Sequence, residues 1–395
     1  MRLEELKNKK ILILGFGREG QDTFKFLRKL FPEKVLGIGD RQKTFNLVKK
    51  DKKIRLHLGE SYLKAIKNYD VVIKSPGIPS KVIEPYLTKK QKVTSQTKIF
   101  FENCSGKIIG VCGTKGKSTT SSLIYQLLKQ TGFKTYLIGN IGKPVLNFLF
   151  STKPQNVYVY ELSSYQLSNL KKRPQISVFL NIYFDHLDYY QNFKEYCSDE
   201  INITKYQTKE NYLIYNCQDK IIREAVKKSK AKKIPIEGQY FELNKNAVRA
   251  VGKLFRIPKI IIEKIISQFK PLSHRLEYIG EFQKIKFYND SASTIPEATI
   301  AAIKILEERL ETILLGGSNK GLDFKNLARE ILKSKIKNLI LFPPTGKIIW
   351  QEITKINKER PSSNLPKASF ISYSLIISYF LFKRKKFQKN FLNLF

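Results

Sequence analysis

The sequence predicts an α/β protein of three domains: an N-terminal Rossmann-like domain over 1–102, a central P-loop-type parallel-sheet ATPase domain over 103–280, and a C-terminal Rossmann-like α/β domain over 281–395. Three observations carry this. Short apolar runs alternate with segments of helical period, the pattern of strands in a buried parallel sheet. Glycine-rich turns follow several of those runs, where a strand must hand over to a helix. The chain has 395 residues, and at roughly 150 residues per domain that is two or three cores.

The elements follow in order. KILILG at 10–15 is an apolar run, a glycine turn follows, and a helical pattern continues through Leu30. Val35–Ile38 is a second run ending near Asp40, and Asp70–Lys74 a third that ends in SPGIP. The central block opens with a strand over Lys107–Cys112, a Gly/Thr/Lys turn, and a helix over Ser118–Gln130. That helix pairs Leu123 with Leu127 and Ile124 with Leu128 at i,i+4, and Gly132 stops it. Strands are expected at Asn156–Tyr160 and Ile176–Leu180. The third block repeats the alternation with a strand at Lys286–Tyr288, a helix over Pro296–Glu308, a strand at Thr312–Leu315, and then GGSNKG. No repeat of fixed period is visible.

Composition narrows the class. Hydrophobic residues at 42% and aromatics at 12% exclude intrinsic disorder. With 72 Lys+Arg against 34 Asp+Glu the formal charge is +38. The lysines are scattered along the whole chain, so the excess is read as a solvated basic surface, with no nucleic-acid partner. The opening MRLEELKNKK holds no apolar signal region, and the four cysteines show no metal spacing; both point to a reducing cytoplasm. The longest apolar run, Phe370–Phe382 followed by KRKK, is too short to cross a bilayer as a helix and reads as a buried C-terminal segment, without stable membrane insertion.

The strongest chemical motif is Gly110-Val-Cys-Gly-Thr-Lys-Gly-Lys-Ser-Thr-Thr120. A strand, a glycine turn and a helix start set successive N–H groups around a phosphate, with Lys117 as a cation and the Ser118 hydroxyl as an Mg²⁺ ligand. Val111 stands where the strict motif has its first glycine. Gly15-Phe-Gly17-Arg-Glu-Gly20, with Asp40 closing the next strand, fits GxGxxG; by itself it suits NAD, a UDP-sugar or only a tight turn. Glu161 heads ELSSYQL, and Asp185-His186-Leu-Asp188 follows the next strand; both lie at the carboxyl ends where open sheets bind ligands. Ser273-His274-Arg275-Leu-Glu277 and Asn289-Asp290-Ser291-Ala-Ser-Thr294 read alone as either nucleotide contacts or caps and turns, and Gly316–Lys320 is a third possible anion turn.

Taken in this order, the motifs resemble the Mur ligase family, ATP-dependent amide-forming enzymes of peptidoglycan precursor assembly. SPGIP, Gly139-Asn-Ile-Gly142, ELSSYQL, DHLD, HRLE and NDSASTIPEAT are most similar to the branch that adds D-glutamate to UDP-N-acetylmuramoyl-L-alanine, over residues 10 to 347. The resemblance implies roles. Gly15, Gly17, Asp40, Arg41, Ser75 and Gly77 would hold the UDP end, and Asn140 the muramoyl-alanine portion. Gly113, Thr114, Lys115, Gly116, Lys117, Ser118 and Thr119 would bind ATP, with Asn246, Arg275 and Asp290 on the nucleotide. Ser118 and Glu161 would take one Mg²⁺ and His186 a second; Thr294 and Lys320 would hold D-glutamate. Lys117, His186, Glu161 and Arg275 would carry the catalysis. The reaction would run through an acyl phosphate in a monomer, with closure about hinges near 103 and 280.

Departures from the family pattern are specific. A lysine that becomes an anionic carbamate in the family falls here on Glu200, which would serve as a metal ligand without bicarbonate; in a shifted register Lys205 would be the modified residue. Ala292 replaces a frequent lysine, and Lys115 stands in the nucleotide loop where asparagine is common. The family's C-terminal pattern is reduced to Ala368-Ser369-Phe370. Competing readings are another Mur-type ligase; a folylpolyglutamate-synthase-like ligase, against which the N-terminal GxGxxG/SPGIP domain argues; and a non-catalytic basic nucleotide- or nucleic-acid-binding protein.

Overall fold

Runs of Ile, Val and Leu buried on both faces make the strands, because a parallel sheet covered by helices leaves neither face in water. A computed structural model describes residues 1–43, 51–185, 189–319, 321–359, 361 and 365–371. The chain divides into two compact units, Met1–Tyr183 with Asn192–Phe269, and Phe184–Gln191 with Lys270–Phe395.

The first unit holds two parallel sheets. One contains β1 (Ile11–Leu14), β2 (Leu36–Asp40), β3 (Ile54–Leu58), β4 (Val71–Lys74) and β5 (Lys92–Thr94), with α1 (Arg18–Leu30) after β1, α2 (Ser80–Ile83) after β4 and α3 (Gln96–Asn103) after β5. Its order is β3-β2-β1-β4-β5. Ile11 therefore pairs with both Leu36 and Val71, and the strand order reverses beside the carboxyl end of β1. Crevices at such switch points are where doubly wound sheets bind ligands. Leu12, Leu14, Ile66, Val72 and Ile83 form the core on one face.

The second sheet has the order β11-β10-β9-β6-β8-β7. Its strands are β6 (Lys107–Cys112), β7 (Thr135–Gly139), β8 (Val157–Glu161), β9 (Ile176–Phe179), β10 (Tyr212–Asn216) and β11 (Lys232–Ile236). Between them run α4 (Lys117–Gln130), α5 (Ser164–Leu167), α6 (Phe193–Lys205) and α7 (Lys220–Lys227); α8 (Tyr240–Leu254) and α9 (Lys259–Ser267) follow β11. β6 is central, flanked by β8 and β9, so the loop it feeds emerges in the middle of the sheet.

The second unit begins with β12 (Glu277–Phe282) and β13 (Ile285–Asn289), then α10 (Pro296–Leu306), β14 (Thr312–Gly316), α11 (Lys325–Lys333), β15 (Asn338–Phe342), α12 (Thr345–Glu359) and β16 (Lys367–Phe370). One expectation is corrected here. The strand at 286–288 does not open another parallel alternation; as β13 it pairs antiparallel with β12, Phe282 opposite Ile285. Gln283 and Lys284 both take positive φ (48° and 63°), as a two-residue hairpin turn of the right twist requires. Neither is the Asn or Gly that announces such a turn in a sequence. The parallel sheet of this unit has three strands, β14-β15-β16, and Ala368-Ser369-Phe370 supplies most of the last one. Most of the Phe370–Phe382 run lies outside the described residues. Among those described, no helix is long and apolar enough to cross a membrane.

Candidate active site

The turn between β6 and α4 is built from two glycines whose backbones side chains rarely adopt. Gly113 has φ +127°, and a Cβ there would stand 3.0 Å from the Asn181 backbone. Gly116, the N-cap of α4, has φ +86°, and a Cβ would stand 2.4 Å from Asn244 Oδ1. The residues leaving β9 clasp this turn. Thr114 N–H donates to the Asn181 carbonyl (2.9 Å), Lys115 N–H to Asn181 Oδ1 (2.8 Å), and Asn181 Nδ2 to the Lys115 carbonyl (3.0 Å). Tyr183 N–H donates to Thr114 Oγ1 at 2.8 Å. The Lys117 ammonium donates to the carbonyls of Gly113 (2.5 Å) and Thr114 (3.0 Å), so the cation lies over the turn itself. Ser118 and Thr119 follow in the first turn of α4, whose N-terminal amides and dipole favour an anion.

Glu161 ends β8 in register with Val111 of β6. Its side chain is 1% exposed; Asn140 Nδ2 donates to Oε1 at 2.9 Å, and Oε2 has no hydrogen-bond partner among the described residues. A buried carboxylate oxygen without a donor is poorly solvated and suits a cation. Mg²⁺, which takes a carboxylate, a hydroxyl and several waters, fits that chemistry. Glu200, on α6, is also buried: Gly113 N–H donates to its Oε2 (3.1 Å) and the Tyr196 hydroxyl to its Oε1 (3.3 Å). Thr114 Oγ1 and Tyr196 Oη lie 2.7 Å apart, which closes a network under the turn. Burial raises the Glu200 carboxyl, opposed by Lys117, the Gly113 N–H, Tyr196 and Cys112. Burial and the Glu200 charge likewise push the Cys112 thiol well up. Lys205, five residues further along α6, is exposed and 3.5 Å from Ser198 Oγ. Among the described residues no group of three or more His, Cys, Asp or Glu side chains could hold a metal; His186, expected there, lies outside them, and Asp185 groups with the second unit.

The N-terminal turn separates three glycine roles. Gly15 turns at φ +88° under Ser75, whose Cβ and Oγ would be 2.8 Å from an added Cβ. Gly20 lies against the Gly15 carbonyl, 2.0 Å from where its Cβ would be, whereas a Cβ at Gly17 meets nothing described within 4 Å. Phe16 N–H donates to Asp40 Oδ2 (2.6 Å), Gln42 N–H to Asp40 Oδ1 (2.8 Å), and Ser75 Oγ to the Gly15 carbonyl (2.8 Å). The fold thus gathers Gly15, Asp40 and Ser75 at the switch point, with exposed Arg41 and Gly77 on its rim. Gln166 Nε2 reaches Glu19 of α1 at 2.8 Å, and burial raises that carboxyl.

Within the second unit the two weak motifs meet. Asp290 Oδ1 accepts from Leu276 N–H (2.8 Å) and Oδ2 from Ser293 Oγ (2.5 Å); Asn289 Nδ2 lies 2.7 Å from His274 Nδ1. Burial raises the Asp290 carboxyl, opposed by the Ser293 hydroxyl, the Leu276 N–H and the charge of Arg275. Thr294 is exposed at the start of the segment leading to α10, and Lys320 lies outside the described residues. In the first unit, the Asn246 amide donates to the Glu237 carbonyl (2.8 Å), while Asn244, two positions earlier, borders Gly116. Neither the Asn181 clasp nor the Asn244 contact was picked out from sequence. Asn181 does stand two residues beyond the end of β9, where a strand-end polar residue is a legible signal.

Residues 111–283 match the model of the Mur ligase middle domain. The chain is 31% identical over 397 residues to the UDP-N-acetylmuramoylalanine–D-glutamate ligase of Clostridium acetobutylicum, covering 90% of this chain and 85% of that one. It is 29% identical over 423 residues to the enzyme of the same name from Acetivibrio thermocellus, covering 95% and 90%. Among solved structures it is similar to the MurF ligase of Thermotoga maritima in complex with ADP, with a TM-score of 0.57 at 16% identity over 96% of this chain and 94% of that one. It is also similar to UDP-N-acetylmuramate-alanine ligase MurC of Thermotoga maritima, with a TM-score of 0.56 at 15% identity over 92% and 91%. The structural likenesses speak to the fold.

Proposed function

The chain belongs to the Mur ligase family, and on that premise we propose that it is the ATP-dependent ligase joining D-glutamate to UDP-N-acetylmuramoyl-L-alanine in cytoplasmic peptidoglycan precursor synthesis. The observation that carries the reading is the clasped Gly113–Lys117 turn at the head of α4, with the unsatisfied, buried Glu161 oxygen on the adjoining strand.

The chemistry sets what the residues must do. A carboxylate resists attack by an amine, so the alanyl carboxylate oxygen first takes the γ-phosphoryl group of ATP, releasing ADP. The D-glutamate amine then adds to the carbonyl carbon of the acyl phosphate and loses its proton; the carbon–oxygen bond to phosphate breaks and inorganic phosphate leaves. No enzyme nucleophile is required, so positioning and charge neutralisation are the protein's contribution. Lys117 would exchange loop carbonyls for phosphate oxygens, with the amides of Gly113, Thr114, Lys115 and Gly116 and the hydroxyls of Ser118 and Thr119 around them. Mg²⁺ when bound neutralises phosphate charge, and Ser118, Glu161, His186 and Glu200 are its proposed holders. Glu200, when ionised, would supply a negative charge there without carbamoylation. Gly15, Gly17, Asp40, Arg41, Ser75 and Gly77 would hold the UDP end and Asn140 the muramoyl-alanine; Asn246, Arg275 and Asp290 the nucleotide; Thr294 and Lys320 the D-glutamate.

Phosphate release from ATP, measured on the purified chain with UDP-N-acetylmuramoyl-L-alanine and each candidate amino acid, tests this. Release with D-glutamate alone is expected. Release with another amino acid alone would transfer the chain to a sister activity, and no release with any would refute ligation.

A further inference from the structure

Between the β4–β5 edge of the N-terminal sheet and α5 lies a cavity of about 260 Å³. It is smaller than the ~300–1,000 Å³ typical of drug-sized ligand sites. Lys74, at the end of β4, and Lys98, in the first turn of α3, both line it, together with Ser95, Ser168 and Asn169. Exposed Glu84 is the one acid among the described lining residues. Neither lysine forms an ion pair with a described carboxylate. The Lys74 ammonium donates to the carbonyls of Ile78 (2.5 Å) and Ser75 (3.3 Å), and that of Lys98 has no described partner.

Two ammonium-bearing side chains therefore share one cavity. Ser95, on the cavity wall, caps α3 by accepting from Lys98 N–H at 3.2 Å, which fixes the helix start that carries Lys98. Lys98 occupies the third helical position, where a glutamate would complete a capping box and complement the dipole; a lysine there opposes it. Burial, followed by the charge of Lys98, lowers Lys74 to about 8. Burial, followed by the charge of Lys171, lowers Lys98. Glu19 and Asp199 act on Lys74 only at longer range. Two like charges withdrawn from water beside a helix N-terminus are unfavourable until an anion joins them.

We propose that this cavity is an oxyanion site in which Lys74 and Lys98 together take a phosphate group. The phosphate could be free inorganic phosphate or the diphosphate of a nucleotide-linked ligand held at the neighbouring Ser75–Gly77 turn. The site itself does not depend on the ligase reading.

The test is calorimetric titration of the full chain with inorganic phosphate at low ionic strength, with Mg-ADP saturating so that the Gly113–Lys117 turn is filled. Saturable binding is expected. It should weaken at least tenfold in Lys98→Gln and persist in Lys98→Arg, with ADP affinity unchanged and the melting temperature not lowered in either. Binding that is equal in Lys98→Gln, or that chloride displaces at matched ionic strength, overturns the proposal. A folding failure of Lys98→Gln leaves Lys98→Met and Lys74→Met to read the same difference. Competition by UDP assigns the phosphate to a nucleotide-linked ligand; simultaneous binding assigns it to free phosphate. A chain that binds no UDP at all still reports on the cavity through the phosphate arm.

Discussion

Replacing Gly17 and Gly20 by alanine, separately, should damage different properties although the two lie three positions apart in one motif. At Gly20 the added Cβ would stand 2.0 Å from the Gly15 carbonyl oxygen and must move out to the 3.4 Å of ordinary contact. A flexible side chain cannot give way here, because the obstacle is backbone. That backbone is pinned by the Gly15 N–H to Gly39 carbonyl bond and by Ser75 Oγ on the Gly15 carbonyl, each 2.8 Å. Overpacking costs about 1–3 kcal/mol, and each hydrogen bond disturbed adds about 1 kcal/mol. The better helix propensity of alanine returns about 1 kcal/mol. The net loss is about 2–4 kcal/mol, or on the order of 5–10 °C in melting temperature. At Gly17 no described atom lies within 4 Å of the added Cβ, and φ is −68°. The poorer N-cap costs about 0.5–1 kcal/mol and the stiffer unfolded chain returns about the same. Stability should hold, while the Cβ fills the approach to the turn and raises KM for UDP-N-acetylmuramoyl-L-alanine at least tenfold. Thermal melts and phosphate-release kinetics on both variants decide it. A Gly17→Ala enzyme with unchanged KM, or a Gly20→Ala protein as stable as the parent, would refute the division of roles.

Two further outcomes follow from the central turn. Asn181→Ala removes both side-chain bonds to Lys115 and should cost about 1–3 kcal/mol, with a raised KM for ATP; urea unfolding and ATP titration check both, and unchanged values in both would remove Asn181 from the site. For Glu200, burial raises the folded carboxyl above its unfolded value, so the folded state holds its proton to higher pH. Its contribution to stability is then fully present below the unfolded pKa and falls as pH rises through the folded one. The stability of the parent relative to Glu200→Gln should therefore decline above about pH 4.5, the ordinary glutamate value. Activity of the parent should be indifferent to removal of bicarbonate; a bicarbonate requirement would point instead to a modified lysine.

Legibility from the sequence tracked how local each requirement was. The Gly113–Gly116 turn could be read because its positive-φ glycines and the following helix are demands a few neighbouring residues place on one another. The hairpin escaped because Gln283 and Lys284 adopt a glycine-like backbone without being glycine or asparagine. Asn181 escaped as the clasp because its partner, Lys115, is 66 positions away. Lys98 escaped because a lysine in a basic chain carries no signal until its surroundings are known.

By itself, the amino-acid order determined which segments extend, which coil and where glycine must stand, since these follow from side-chain volume, backbone sterics and apolar period acting over a turn or two. The tertiary structure alone decided that β1 sits between β2 and β4, bringing Asp40 and Ser75 to one turn. It likewise decided that Glu200 rather than Lys205 faces the Gly113–Lys117 turn, and that Lys74 and Lys98 share a cavity. Strand order and helix rotation are settled by burying the most apolar area over the whole unit, a sum that no local window of sequence contains.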